Sequence, residues 1–117
     1  DAQPLVSLGH IDRREPRLAD AIRLMENHLH APLTIDAIAR RVGVGQRTLE
    51  QEFARLIGEA PGQYYLRLRL AAARKMVTDT ALPITEIADR TGFASPASFS
   101  RAFRNRYGRA ARDLRRE

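Results

Sequence analysis

The sequence has 117 residues and a mass of 13.2 kDa, with 44% hydrophobic and 29% charged residues. This length allows one compact domain or two very small ones and is too short for most enzyme architectures, while the composition excludes wholesale disorder. The absence of cysteine excludes disulfides, thiolate metal sites and cysteine nucleophiles, and it is compatible with a reducing cytoplasm. No apolar run is long enough for a membrane span, and the first residues do not resemble a signal peptide, so we expect a soluble, cytoplasmic chain.

The positive charge is concentrated in the C-terminal half. The chain has 20 basic and 14 acidic residues, a net charge of +6, and Lys75 is its only lysine. Residues 33–60 are electrically balanced, whereas residues 83–117 hold eight arginines and four acids. A basic balance favours a polyanionic partner. The preference for arginine over lysine is explained equally well by a GC-rich genome, so it identifies no partner by itself.

The N-terminal part predicts a linker followed by an amphipathic helix. Residues 1–16 contain two prolines and one glycine without apolar periodicity, which is typical of a linker or of the edge of a longer protein. After Pro16 the apolar residues step by four, three and four, which indicates one face of a helix that ends before Pro32. These residues are Leu18, Ile22, Met25 and Leu29.

Three further helices are predicted before residue 80. Thr34 suits the N-cap of a short helix over 35–42 that stops at Gly43. A helix over 46–57 carries Leu49, Phe53, Leu56 and Ile57 on one side. A long helix over 61–79 carries two adjacent apolar stripes, which are Tyr65, Leu68, Ala72 and Met76, and Leu66, Leu70, Ala73 and Val77. Two stripes predict burial against two neighbours.

The remaining residues predict another short helix followed by a longer one. Residues 84–91 form a short helix stopped by Gly92, and Ser95 followed by Pro96 is a typical N-cap and first helical residue. Phe99, Phe103 and Tyr107 then line a helix over 96–107. No segment alternates as a strand would. We therefore predict an all-α chain of about seven helices joined by short loops.

An internal repeat is the strongest signal in the sequence. Residues 38–43 match residues 87–92 at Ile, Ala, the second Arg and Gly with an offset of 49, and residues 53–58 overlay residues 103–108 with an offset of 50. A small Ala at a close helix crossing, a Gly in the turn and a second helix with one apolar face are the features of a helix-turn-helix. The repeat predicts two such units, over 17–60 and 80–117, joined by a connecting helix over 61–79.

These motifs together resemble a known family. The residues that carry the resemblance are Ile38, Ala39, Gly43, Val44, Leu49, Phe53, Gly58, Pro61, 64–70, Ala73, Arg74, Ile84, Ile87, Ala88, Gly92, Phe93, Ser95, Pro96, 99–104, Tyr107 and Gly108. From about Leu18 to Arg115 the chain resembles the C-terminal DNA-binding domain of AraC/XylS-type transcription regulators. The family usually has Ser, Pro and Tyr where this chain has Gly45, Ala111 and Leu114.

The resemblance implies a function and several partners. It implies a domain that inserts two recognition helices into successive major grooves of double-stranded DNA and that works with RNA polymerase. It also implies an effector bound by an N-terminal domain outside this sequence. Residues 61–65 resemble, more weakly, the subgroup whose N-terminal domain has a DJ-1/PfpI glutamine-amidotransferase-like fold. The 19 residues of the connecting helix would be about 28 Å long, close to the roughly 34 Å between successive major-groove faces.

Candidate DNA contacts lie opposite the apolar faces of the two recognition helices. The predicted base contacts are Arg47, Glu50 and Gln51 in the first helix and Ala97, Ser100, Arg101 and Arg104 in the second. Arginine suits guanine, glutamine suits adenine and glutamate suits cytosine. The predicted phosphate contacts are Arg55 and the hydroxyls near helix starts, namely Thr34, Thr85, Ser95 and Ser98. Helix capping explains those hydroxyls equally well.

Three other classes of function are weaker interpretations. A helical adaptor would bind protein through the same repeat, but it would be expected to expose apolar rather than Arg and Gln side chains. A peripheral membrane binder would favour Trp, and the sequence has none. His28 and His30 lie on different helix faces, and neither a phosphate loop nor a nucleophile elbow is present, so we predict no catalytic residue, metal site or cofactor.

Overall fold

The structure, a computed structural model, describes residues 15–117, which form seven α-helices without a strand. The helices are α1 (Pro16–Glu26), α2 (Ile35–Arg41), α3 (Gln46–Leu56), α4 (Pro61–Asp79), α5 (Ile84–Arg90), α6 (Pro96–Tyr107) and α7 (Ala111–Arg115). The prediction of an all-α chain with about seven helices is confirmed. The linker predicted over 1–16 lies outside the described residues except for Glu15 and Pro16, the latter being the first residue of α1.

The described chain divides into two compact units. The first consists of 15–28 and 33–65, and the second consists of 29–32 and 66–117. The boundary at residue 65 lies within α4, so this helix contributes residues to both units.

The core of the first unit is formed by α1, α2 and α3, which pack against one another. The predicted face of α1 is buried at Leu18, Ile22 and Met25, and the start of α4 adds two buried tyrosines, Tyr64 and Tyr65. Tyr64 is one of the residues that carry the family resemblance, but it lies in neither of the predicted apolar stripes. Because aromatic side chains bury a large area, this pair adds substantially to the core of a small unit.

Helix α1 is shorter than the sequence predicts. It ends at Glu26, so Leu29 lies outside the helix. The hydroxyl of Tyr65 donates a hydrogen bond to the carbonyl of His28 at 2.5 Å and accepts one from the N–H of Leu33 at 3.1 Å. These contacts give backbone partners to the two residues that flank 29–32, where the chain has left the helix.

The core of the second unit is richer in aromatic side chains. Its buried members come from α4 to α7 and are Leu70, Ala73, Val77, Ile87, Ala88, Phe99, Phe103 and Ala111. A continuous series of ring contacts runs from Phe93 to Tyr107, with centroid distances of 5.3, 5.5 and 4.8 Å for successive pairs through Phe99 and Phe103. Such tilted and edge-on pairs stabilise a core beyond their buried area.

The last helix is attached to the core by an arginine. The guanidinium of Arg115 donates to the carbonyls of Val77 at 3.1 Å, Thr80 at 3.1 Å and Leu82 at 2.6 Å. These are carbonyls at and after the C-terminal end of α4, where a helix leaves acceptors without intrahelical partners. Arg115 therefore satisfies the end of one helix while fixing the position of α7.

Candidate nucleic-acid interface

The first helix-turn-helix consists of α2 and α3. Ile38 and Ala39 of α2 are fully buried, and the N–H of Val44 bonds back to the carbonyl of Ala39 at 3.0 Å. Between them Gly43 has φ +85°, a left-handed conformation that side chains with a Cβ rarely adopt. The turn thus reverses the chain sharply and allows α3 to begin three residues later.

Helix α3 is seated on the core by two residues. Leu49 and Phe53 are fully buried, and the ring of Phe53 lies 5.8 Å from that of Tyr64. Leu56, predicted to share this buried face, is instead 38% exposed. It lies in the last turn of α3, three residues beyond Phe53, where the helix is already ending and no further layer covers the side chain.

The predicted base contacts of α3 lie on the outer surface. Arg47, Glu50 and Gln51 are all exposed. The Nε2 of Gln46 donates a hydrogen bond to the Oε2 of Glu50 at 3.0 Å, which gives this carboxylate a defined partner. A face with a cation, an anion and an amide offers both donors and acceptors to base edges.

Two further charges of α3 are paired with residues of the same unit. Glu52 accepts from Arg17 at 2.7 Å with its side chain only 13% exposed, and Arg55 lies 3.8 Å from Glu15. The carboxylate of Glu52 is therefore turned away from the outer face and compensated. Arg55, a predicted phosphate contact, is exposed but has an acidic neighbour.

The second helix-turn-helix, α5 and α6, reproduces the backbone hydrogen bonds of the first. The N–H of Phe93 bonds to the carbonyl of Ala88 at 3.0 Å, and Gly92 has φ +81°. The offsets of 49 and 50 between the repeats imply one additional residue in this turn. It is present, since α6 begins four residues after Gly92 whereas α3 begins three residues after Gly43. Thr91 is the one fully buried polar residue of the described chain, and its hydroxyl donates to the carbonyl of Ile87 at 2.7 Å.

The predicted base contacts of α6 are also exposed. Phe99 and Phe103 seat this helix, and Ala97, Ser100, Arg101 and Arg104 lie on its outer surface. Within residues 15–117, neither Arg101 nor Arg104 forms an ion pair. The outer face of α6 therefore carries uncompensated positive charge, in contrast to that of α3.

Most of the predicted phosphate-binding hydroxyls act in helix capping. The Oγ1 of Thr34 accepts from the N–H of Ala37 at 3.0 Å. Ser95 and Ser98 form a reciprocal capping box at the start of α6, with Pro96 as the first helical residue. Thr85 is exposed in the first turn of α5. Capping explains the residue types of the first three hydroxyls, and their contacts with phosphate remain predictions.

Arg69 has a structural role that the sequence analysis did not predict, since it appears there only within the range 64–70 of the family motif. Its Nη1 donates to the carbonyls of Thr91 at 3.3 Å and Gly92 at 3.0 Å, and its guanidinium lies 4.6 Å from the centre of the Phe93 ring. It thereby links α4 to the second turn. The available signal was its position, because Arg69 stands four residues before Ala73 and so lies within an apolar stripe.

Other arginines are likewise occupied inside their units. Arg40 pairs with Asp36 at 2.6 Å, Arg90 pairs with Glu86 at 2.9 Å, and the guanidinium of Arg74 lies 4.9 Å from the ring centre of Tyr107. The basic balance of the sequence therefore overstates the cations available to a ligand. Those without an ion pair among residues 15–117 include Arg47, Arg101 and Arg104.

The histidines that the structure describes bind backbone carbonyls. The Nδ1 of His28 contacts the carbonyl of Leu24 at 2.8 Å, and that of His30 contacts the carbonyl of Asp89 at 3.0 Å. In the described part of the chain no three His, Cys, Asp or Glu side chains are grouped as a metal ion would require. Nor does any helix in that part combine the length and hydrophobicity needed to cross a membrane.

Comparison with known proteins supports the helix-turn-helix assignment. A family model described as a helix-turn-helix domain matches residues 38–117. The HTH-type transcriptional regulator ArgR of Pseudomonas aeruginosa is 42% identical over 102 residues, covering 87% of this chain and 31% of that regulator. The chain thus spans less than a third of the length of this curated relative.

Solved structures show the same fold. A transcriptional regulator of Chromobacterium violaceum, described as AraC-type, superposes with a TM-score of 0.83 at 39% identity, covering 87% of this chain and 91% of the other. The DNA-binding domain of AdpA, solved with a target DNA, superposes with a TM-score of 0.81 at 28% identity, covering 86% and 90%. This chain belongs to the AraC-type family of helix-turn-helix DNA-binding domains.

Proposed function

We propose that this chain binds double-stranded DNA sequence-specifically by inserting α3 and α6 into successive major grooves. The observation that carries the proposal is the shared design of the two helices. Each follows a tight glycine turn, is seated by two buried side chains and exposes polar residues on the opposite face. A helix held in this way can enter a major groove with its outer side chains against base edges.

The exposed side chains suit direct readout of bases. Arg47, Arg101 and Arg104 match the two acceptors of guanine, Gln51 matches adenine, and Glu50 accepts from the amino group of cytosine. Ala97 and Ser100 are small enough to lie beside a thymine methyl group. Because the two sets of residues differ, we expect an asymmetric site rather than a palindrome.

Contacts with the phosphates of the DNA backbone would fix the position of the domain along the DNA. We assign them to Arg55 and to the helix starts that carry Thr34, Thr85, Ser95 and Ser98. N–H groups at a helix start and nearby hydroxyls commonly bind phosphate oxygens. A hydroxyl that accepts a capping hydrogen bond retains its own proton as a donor, so the cap at Thr34 is compatible with this role. The hydroxyls of Ser95 and Ser98 already donate to the Oγ of Ser98 and to the carbonyl of Ser95, so they would have to rotate to bind phosphate.

A protein-binding adaptor fits the exposed surface less well. Among residues 15–117, Leu56 is the one large apolar side chain that is exposed, at 38%. Protein-binding sites on stable domains are usually contiguous apolar patches. The outer faces of both recognition helices are polar instead, and that of α6 is basic, which supports a nucleic-acid partner.

The chain corresponds to part of longer regulators. ArgR, of which it covers 31%, is a transcriptional regulator. We therefore propose that this chain is the DNA-binding domain of a cytoplasmic regulator whose effector binds outside this domain. We also propose that the domain works beside RNA polymerase. Effector binding and the action beside RNA polymerase are tested with the full regulator. The same protein tests whether its N-terminal domain has the DJ-1/PfpI-like fold that the weaker resemblance implies.

Selection from a randomised DNA library at two salt concentrations tests the proposal. We expect an enriched asymmetric site with two recognised segments about 10 base pairs apart, and an affinity that falls as salt rises. Replacing both Arg101 and Arg104 by Ala should abolish enrichment of one segment. Arg90→Ala is the matched control, because this arginine is paired with Glu86 outside the recognition helices. Equal affinity of the chain for enriched and random DNA would refute the proposal.

A further inference from the structure

We propose that Gln46 determines base specificity indirectly by holding the carboxylate of Glu50 in a fixed orientation for an exocyclic amino group. This inference rests on the proposed function, because it assumes that the outer face of α3 meets a base edge. Gln46 was not among the residues predicted to contact DNA. It is a positioning residue in this proposal, and Glu50 is the residue that reads the base.

The geometry consists of one hydrogen bond across one turn of helix. Gln46 is the first residue of α3, and its Nε2 donates to the Oε2 of Glu50 at 3.0 Å. Residues four apart on a helix lie on the same face. In the described part of the chain neither side chain has another hydrogen bond or ion pair. The pair is therefore a separate polar unit on the exposed surface.

The hydrogen bond decides what the pair presents to DNA. An exposed glutamate near phosphates would otherwise rotate away from like charge. With Oε2 engaged by the amide of Gln46, Oε1 of Glu50 keeps its acceptor sites. The carboxylate then presents this free oxygen to the groove. It matches the amino groups of cytosine and adenine and opposes the acceptors of guanine and thymine.

The second unit lacks this arrangement. At the offset of 50 that relates the two recognition helices, Gln46 corresponds to Pro96 and Glu50 corresponds to Ser100. Neither the amide nor the carboxylate is present there. If the pair served only to stabilise a helix, it would be equivalent to other pairs spaced by four residues, such as Asp36 with Arg40 on α2. These two interpretations differ in their effect on base preference.

The experiment measures base preference at every position of the selected site for the four chains of a double-mutant cycle and for one control. The four chains are the wild type, Gln46→Ala, Glu50→Ala and the double variant. Arg40→Ala is the control, because it removes a matched pair from a helix that is not a recognition helix. We expect Gln46→Ala to lower the preference for one amino-bearing base about fivefold, the lower range of a specific base contact, and to leave the other positions unchanged.

The double variant separates positioning from direct contact. In the Glu50→Ala background, Gln46→Ala should change nothing further at that position. Arg40→Ala should lower the melting temperature of the protein by about the same small amount as Gln46→Ala, but it should retain every base preference.

Two results would overturn the inference. One is full retention of the preference by Gln46→Ala, and the other is a loss of preference that persists in the Glu50→Ala background. Both presuppose a wild type that selects DNA, so they leave the proposed function intact. A wild type that enriches no sequence would instead refute the proposed function, and this inference with it.

Discussion

The two helix-turn-helix units share a backbone and differ in what surrounds it. The hydrogen bonds that close the turn are the same, from Val44 to Ala39 and from Phe93 to Ala88, each 3.0 Å. Yet a Cβ placed on Gly43 would meet no atom within 4 Å, whereas one placed on Gly92 would lie 2.4 Å from the carbonyl oxygen of Leu29. The first turn is open, and the second is enclosed by residues of its own unit.

The enclosure of the second turn has several independent components. Arg69 donates hydrogen bonds to two carbonyls of this turn, and Phe93 joins the aromatic series of the core. Ser95 and Ser98 cap the helix that follows the turn. The corresponding helix start in the first unit is Gly45, which provides no side-chain cap. The two units therefore share the path of the chain, but they differ in the contacts that support it and in the charge of the recognition helix.

The two turn glycines should give the largest difference. Gly92→Ala combines left-handed backbone strain with a backbone clash, so we expect it to lower the free energy of unfolding by about 2–5 kcal/mol. Gly43→Ala has the strain without the clash and should cost about 1–2 kcal/mol. Urea unfolding followed by circular dichroism at 222 nm provides the measurement. Equal losses of stability in the two variants would show that the enclosure of the second turn contributes nothing to the free energy of unfolding.

The two buried alanines test whether the helix crossings are equally tight. Ala39 is fully buried and Ala88 is 2% exposed, so Leu at either position should overpack its unit and cost about 1–3 kcal/mol. We expect DNA affinity to fall with stability in both variants. An Ala88→Leu chain as stable as the wild type would contradict the close crossing of α5 and α6.

The recognition helices should differ in their share of salt-sensitive affinity. Arg101 is uncompensated within the described chain, so Arg101→Ala should cost about 1–3 kcal/mol of binding and relax preference at one base position. Glu50→Ala should broaden the accepted sequences more than it weakens the best one, because an acidic side chain acts mainly by exclusion. Fluorescence anisotropy on selected and mismatched DNA at two salt concentrations compares the variants. A larger loss of affinity, or a larger change in salt dependence, for Glu50→Ala than for Arg101→Ala would contradict the larger share of salt-sensitive affinity that we expect for α6.

The helix starts should give the smallest effect. Gly45 has the extended backbone of an N-cap, with φ −78° and ψ 161°, and open space around its missing Cβ. Gly45→Ser should therefore add a few tenths of a kcal/mol to stability, whereas Ser95→Ala should remove about 1 kcal/mol. Thermal unfolding of the two variants measures both changes. A stabilisation by Gly45→Ser as large as the loss at Ser95 would show that the two caps are equivalent.

Helix positions were predictable because their signals are local. Pro61, Ser95 with Pro96, and the turn glycines mark helix ends by backbone chemistry that depends on few neighbours, and α4 and α6 have the predicted bounds. The end of α1 was not predictable in this way. It depends on the hydroxyl of Tyr65, which is distant in sequence from both of its partners, His28 and Leu33.

The outer faces of α3 and α6 were predictable from helical periodicity, and all seven base candidates are exposed. The partners of individual charges were not, because a sequence does not reveal which arginine meets a carbonyl, a ring or an acid. Arg69 and Arg74 add to the basic balance of the sequence, but their guanidinium groups contact the rings of Phe93 and Tyr107. Leu56 shows the converse error, since periodicity continues to the end of a helix while the core beneath it does not.

The attachment of α7 by Arg115 has a mechanical consequence. Because one guanidinium bonds carbonyls at Val77, Thr80 and Leu82, it closes a loop of 38 residues without a covalent link. A pulling force on the C-terminal end would load these three hydrogen bonds together before it reached α6. Because α7 has only five residues, we expect the three hydrogen bonds of Arg115 to contribute much of the resistance to opening of the second unit from this end.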